Sequence, residues 1–295
     1  MKVLVIGATG YIGAAVAERL AGDGHEVVAL VRDPAGSGLT GDVRRGDLRE
    51  PESLIGAVTP DVDAVIHAAS PTGDERVDVA AVRALISTGK PLVYTSGVWV
   101  LGRTGEPATE EAPVDPLPLV GYRPAVERIV LDGGGFVIRP GIVHGYGRGI
   151  PALLAAQAAE YGLGRYVHAG GPPPVWPTVH VADLADLYPL VLERARPGDL
   201  FHAVAEEGVP VSTIAEAAAR AAGTPCARAV PWPVEQAAEV LGRPFADALA
   251  LSQRVSGARA RRELGWTPSR PGIVEDLAAG ATEDALSEIG AGGTP

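Results

Sequence analysis

Cysteine is nearly absent from this chain. Cys226 stands alone among 295 residues, so no intrachain disulfide can form and no cysteine cluster can hold a metal. Lysine occurs only as Lys2 and Lys90, and there is no basic run. With 36 acidic side chains against 25 lysines and arginines, the formal net charge is -11. That balance argues against nucleic acid and anionic membranes as partners. No apolar stretch reaches the ~18 residues of a membrane span. The first residues lack the form of a secretory signal. The expectation is a soluble cytoplasmic protein with no metal site. What the chain has in quantity is apolar surface: 46% of its residues are hydrophobic, a globular and not a disordered composition. Its length allows one large domain or two unequal ones.

The most informative segment is Gly7-Ala8-Thr9-Gly10-Tyr11-Ile12-Gly13. It lies between an apolar strand-like run, Val3 to Ile6, and a helix-like run, Ile12 to Leu20. A strand feeding a glycine turn and then a helix N-terminus makes a pyrophosphate site. Gly7 allows the turn, Gly10 lets the backbone approach the phosphates, and Gly13 lets helix and strand pack closely. The helix N-terminus adds free N–H donors and the positive end of its dipole.

Further strand signals fall at Glu26–Val31, Val43–Gly46, Val62–His67, Pro91–Thr95 and Phe136–Arg139. Helical signals at Pro51–Ala57, Glu75–Ser87 and Leu119–Leu131 alternate with them, the last interrupted by Pro124. The alternation predicts an α/β, Rossmann-like, doubly wound parallel sheet, whose strands are buried on both faces. After residue 150 the style changes. Helices are expected at Val181–Ala195, about 212–222, about 244–251, Ala258–Leu264 and Gly272–Ala279, with one late strand at Leu200–Val204. We expect a nucleotide-binding domain over 1–150 and a smaller, mainly helical substrate lobe over 151–287. Elements of that lobe would return to the first domain, and 288–295 would form a flexible tail.

The second strand ends Val31-Arg32-Asp33. An NAD-preferring site places a carboxylate at that end, for the ribose 2′-OH; a guanidinium there suits a 2′-phosphate instead. Arg32 therefore favours NADP, with NAD left open by Asp33. Asp47-Leu48, after the third strand, suits the edge of the adenine.

At these residues the chain resembles the extended and atypical short-chain dehydrogenase/reductases, the NAD(P)-dependent epimerase/dehydratase type. The resemblance runs from about residue 2 to 281. It is carried by GATGYIG at 7–13, GDL at 46–48, HAAS at 67–70, YTSGVWVLG at 94–102, RPGIVHGYG at 139–147, VHVADLAD at 179–186 and SGARARRELGWTP at 256–268. It implies that Ala68 and Ala69 line the cofactor and that Pro140, Ile142 and Val143 flank the nicotinamide. It also implies subunit pairing through the helices at about 75–88 and 119–131, giving a homodimer, although Pro124 disturbs the second.

Such enzymes use Ser/Thr, Tyr and Lys, the last two as YxxxK, and that spacing is missing here. If Tyr122 is the tyrosine, the lysine position is Val126. If the helix is aligned on Glu127, the tyrosine position is Leu119 and the lysine position is Arg123, which could keep the ribose contact. Gly97 falls at the usual Ser/Thr position, with Thr95 and Ser96 beside it. The candidate catalytic residues are Tyr122, Arg123, Ser96 and His144. An arginine neighbour would favour the Tyr122 phenolate, and His144 follows the sixth strand at the ligand-binding edge. Trp99, Tyr146 and Trp176 are expected to wall the substrate pocket, and His180 to hold a helix N-terminus. Three functions compete: an NADP-dependent oxidoreductase or epimerase acting on a carbonyl or secondary alcohol of a small metabolite, a non-redox lyase, isomerase or cyclase, and a nucleotide-sensing regulator.

Overall fold

A computed structural model describes residues 1–279. The expected tail, and the end of the lobe at 287, lie outside the described residues. The first half runs β1 (Lys2–Ile6), α1 (Tyr11–Gly22), β2 (Glu26–Val31), β3 (Asp42–Arg45), α2 (Pro51–Ala57), β4 (Ala64–His67), α3 (Glu75–Ser87), β5 (Leu92–Thr95), α4 (Arg123–Asp132) and β6 (Phe136–Pro140). The second half runs β7 (Ile142–His144), α5 (Ile150–Tyr161), β8 (Leu163–His168), β9 (Val175–His180), α6 (Val181–Arg194), β10 (Leu200–Ala203), β11 (Glu206–Pro210), α7 (Val211–Ala221), β12 (Cys226–Pro233), α8 (Val234–Leu241), α9 (Arg243–Leu249), α10 (Ala258–Leu264) and α11 (Ile273–Ala279).

Seven strands form one parallel sheet in the order β10-β6-β5-β4-β1-β2-β3. Alternate residues of β1 face opposite sides of it. Val3 and Val5 pack in a cluster with Val16 of α1 and Leu184 of α6; Leu4 and Ile6 pack with Leu54 of α2, Val82 of α3 and Val126 of α4. Helices on both faces explain why the strand is an unbroken apolar run. The chain leaves β1 toward β2 and β3, then returns to place β4 on the other side of β1. That reversal opens a crevice beyond the strands' C-terminal ends.

The second half holds more strand than its sequence suggests. β11-β9-β7 make a three-stranded sheet and β12-β8 a pair, around a cluster containing Trp176, Ile214 and Trp232. Their proline, glycine and histidine content masks the strand signal. β10, by contrast, crosses back to pair with β6 at the edge of the large sheet. No described helix is long and apolar enough to cross a membrane.

The expected helix at 119–131 is split. A 3-10 turn covers Pro118–Val120 and α4 starts at Arg123, with Pro124 in its first turn. There the missing proline N–H would have had no partner anyway. α4 is fixed to β6 by a buried ion pair: Arg139 donates from Nε to Glu127 Oε1 at 3.0 Å and from Nη2 to Oε2 at 2.6 Å. Removing one charge strands the other in the core. Glu127→Gln should therefore lower unfolding free energy by about 3 kcal/mol or more, and Glu127→Met combined with Arg139→Met by less than either single change. Urea titration of Glu127→Gln, the two single methionine variants and the double variant measures this.

Candidate cofactor and substrate cleft

The turn after β1 leaves room for nothing larger than glycine. Gly7 has φ +86°, and a Cβ on it would lie 2.7 Å from the backbone N and Cα of Ala69. A Cβ on Gly13 would lie 2.0 Å from the Gly7 carbonyl oxygen. β1, the start of α1 and the segment after β4 thus meet backbone to backbone. Gly10 is the N-cap of α1 and offers no side-chain cap. The first-turn N–H groups stay available at the crevice, beside exposed Thr9. These residues fit a pyrophosphate.

At the end of β2, Arg32 is exposed and makes no salt bridge among the described residues. Asp33 folds back instead, its Oδ1 accepting from Ala35 N at 3.1 Å. Asp47 likewise accepts from Arg49 N at 2.9 Å, and Leu48 packs against the cluster that holds Leu4.

Beyond β1, β4, β5 and β6 lies a cleft of about 400 Å³, lined by Tyr11, Ile12, Ser96, Trp99, Arg123, Pro140, Ile142 and Val143 among others. Among the described residues, Arg123 is its only charged lining residue. Ser96 Oγ is buried and has no hydrogen-bond partner among them. Arg123, half-buried at the start of α4, makes no salt bridge among the described residues. Its Nη1 stands 3.4 Å from where a Cβ on Gly97 would be, so Gly97 leaves space for the guanidinium. Trp99 meets Phe245 edge to face at 6.4 Å.

Four expectations about the site need correction. Tyr122 turns away from the cleft and donates to Asp78 Oδ2 at 2.6 Å. Burial, followed by that carboxylate, pushes its pKa up to about 12, the reverse of the expected phenolate. His144 is buried against the second lobe, its Nδ1 3.1 Å from Asp276 Oδ2 and its ring against His180, because β7 pairs with β9 in that register. It lines a separate cavity with His180, Glu206 and Trp266. Tyr146 is 70% exposed, and Trp176 is 2% exposed inside the lobe's apolar cluster. Of the three aromatic residues, the cleft holds Trp99. His180 does hold a helix N-terminus: its Nδ1 accepts from Ala182 N at 3.1 Å.

The sequence reading missed the tie between Tyr11 and the loop after β7. The Tyr11 hydroxyl donates to the Gly145 carbonyl at 2.8 Å, and the Arg148 guanidinium lies over the Tyr11 ring at 5.2 Å. The alternating Gly145, Gly147 and Gly149 were the available signal.

Comparison with known proteins agrees with this architecture. The family model for the NAD dependent epimerase/dehydratase family matches residues 3–204, and the chain belongs to that family. An uncharacterized protein of Saccharomyces cerevisiae is 32% identical, over 95% of this chain and 98% of its own. A 3-diazoavenalumate denitrifying reductase of a Streptomyces species is 30% identical, over 92% of this chain and 97% of its own. Among solved structures, the UDP-glucose 4-epimerase of Thermus thermophilus in complex with NAD has a TM-score of 0.77 at 22% identity, covering 96% of this chain and 100% of that one. A human epimerase family protein with NADPH has a TM-score of 0.76 at 23% identity, with the same coverages. The structural likenesses establish the parallel, helix-flanked Rossmann-like fold.

With its hydroxyl held by Asp78, Tyr122 serves α3 and α4 and not the cleft. Tyr122→Phe should cost about 1–2 kcal/mol of stability and leave nucleotide affinity unchanged. Paired urea and nucleotide titrations read both. The difference ultraviolet titration of wild type minus Tyr122→Phe should place the Tyr122 phenolate well above the ordinary tyrosine range, since burial and Asp78 push its pKa up to about 12.

Proposed function

We propose that this protein is an NADP(H)-dependent oxidoreductase acting on the carbonyl, or the corresponding secondary alcohol, of a small metabolite of low charge. The observation that carries the reading is a pair of groups in the cleft next to the glycine turn, the Ser96 hydroxyl and the Arg123 guanidinium, neither with a partner among the described residues. Bound nicotinamide supplies hydride transfer. The chain's own task is to hold the substrate oxygen and the charge that develops on it. Arg123 does so as a permanent cation, since a guanidinium is not deprotonated in proteins. Ser96 adds a neutral donor. Neither Tyr122, which donates to Asp78, nor Tyr11, which donates to Gly145, has its hydroxyl free for acid chemistry. Proton delivery to the oxygen then falls to solvent at the open mouth, with Ser96 bridging.

Arg32 at the end of β2, exposed and without a carboxylate partner among the described residues, supports NADP over NAD, and Asp33 turns one of its carboxylate oxygens to Ala35 N. The low-charge substrate follows from the lining. Arg123 is the cleft's one described charge, and Arg165 of the lobe is held over the rings of Tyr161 at 4.3 Å and Trp232 at 3.8 Å. Across residues 151–175 Arg165 is the one lysine or arginine, which leaves little positive charge there for a substrate diphosphate.

The test follows NADPH absorbance against a panel of small aldehydes and ketones. Arg123→Ala should lower kcat/KM about 100- to 1,000-fold, as removal of an oxyanion donor does, with Arg123→Lys recovering part of it. Turnover without net change in NADPH would move the reading to non-redox chemistry. Arg32→Ala should weaken NADPH binding about tenfold and leave NADH unchanged, the loss of one charge-assisted contact; equal weakening of both would remove the NADP assignment.

A further inference from the structure

We propose that the loop 145–149 is a clamp over the dinucleotide pyrophosphate and that Arg148 is its cation, an inference that rests on the cofactor reading above. Three observations carry it. First, the loop is folded tightly back toward α1. Gly145, Tyr146, Gly147 and Gly149 have φ of +119°, +55°, +65° and +78°, and Tyr146 is the only described non-glycine residue with positive φ. A Cβ on Gly149 would lie 2.6 Å from the Val143 carbonyl oxygen and 3.3 Å from Tyr11 Cε1. Side chains rarely adopt such a path, so close approach to Tyr11 is built into the sequence. Second, the Tyr11 hydroxyl bonds to Gly145, which ties the loop to the first residue of α1. Third, Arg148 stands over the Tyr11 ring, is exposed, and makes no salt bridge among the described residues.

Tyr11 opens the helix whose first-turn N–H groups face the crevice, and that turn carries no charged side chain of its own. A dinucleotide is strongly anionic, and the protein's net charge is -11. Overall repulsion must be offset by cations placed locally. Arg32 stands at the adenosine end. Arg148 is the cation the fold brings to the middle, where the Tyr11 face parks the guanidinium until a phosphate replaces it. A substrate diphosphate would offer the same chemistry, so the experiment separates the two sources.

Wild type, Arg148→Ala, Arg148→Lys and Arg32→Ala are titrated calorimetrically with NADPH, NADH, 2′-AMP and UDP, without substrate. Arg148→Ala should raise Kd about tenfold for NADPH and NADH alike, since both carry the pyrophosphate. Arg148→Lys should restore part of the loss, and 2′-AMP, which has no pyrophosphate, should be unaffected. Unchanged Kd for both dinucleotides in Arg148→Ala would overturn the clamp while leaving the cofactor reading intact, as would a loss confined to UDP. Failure of wild type to bind either dinucleotide would overturn the cofactor reading and the clamp together. Arg148 is exposed, so the variants are expected to fold, and a thermal melt beside each titration checks this.

Discussion

Everything at the functional edge depends on the contact between the backbones of Gly7, Gly13 and Ala69. The separations are too short for any side chain: 2.0 Å from a Cβ on Gly13 to the Gly7 oxygen, and 2.7 Å from a Cβ on Gly7 to Ala69. With them, the N-terminus of α1 sits in the mouth between β1 and β4, the place where strand order reverses. A larger residue at either glycine would push the helix away from the strand. The donors of its first turn would move with it, and so would Tyr11, which lines the cleft and ties down the loop after β7. One steric constraint thus couples the geometry of the glycine turn to the wall of the cleft.

The opposite wall is set electrostatically. α4 begins at Arg123 because Pro124 suits a first turn and no later one. The helix is then held by the buried Glu127–Arg139 pair to the strand that ends in Pro140, another cleft residue. On the far side of α4, Asp78 accepts from the backbone N and hydroxyl of Thr72 as well as from Tyr122. Both carboxylates are buried and both are supplied with donors, so neither competes for Arg123. Among the described residues Arg123 makes no salt bridge where it lines the cleft.

The fold's first half was legible because its signals are redundant. β1 has a continuous apolar run, a glycine turn and a helix in succession, and Pro51–Ala57 and Glu75–Ser87 carry helical period with no competing strand reading. The second half was not. β9, Val175–His180, contains proline and histidine, and β12, Cys226–Pro233, contains two prolines; both are held by pairing with β7, β11 and β8, which sequence period cannot reveal. Ser96 and Trp99 were singled out because they follow a recognisable strand end, and Arg123 because the helix was aligned on Glu127; all three line the cleft. Tyr122 and His144 misled for one physical reason. Neighbourhood in sequence suggested the cleft, whereas side-chain direction was decided by long-range partners, Asp78 on α3 and Asp276 on α11.

That direction makes β7 a shared element. Ile142 and Val143 line the cleft, while His144, next along the strand, packs on His180 and approaches Asp276. Asp276 Oδ1 also lies 3.8 Å from His180 Nε2, so one carboxylate of α11 faces both rings. Burial lowers the His180 pKa, which keeps that ring neutral at pH 7 and suits its Nδ1 to accept from the α6 backbone. The histidines therefore join the lobe to the sheet at the strand that also forms the cleft wall. The lobe's last described helix thus reaches, through His144, the strand that walls a cleft it does not itself line.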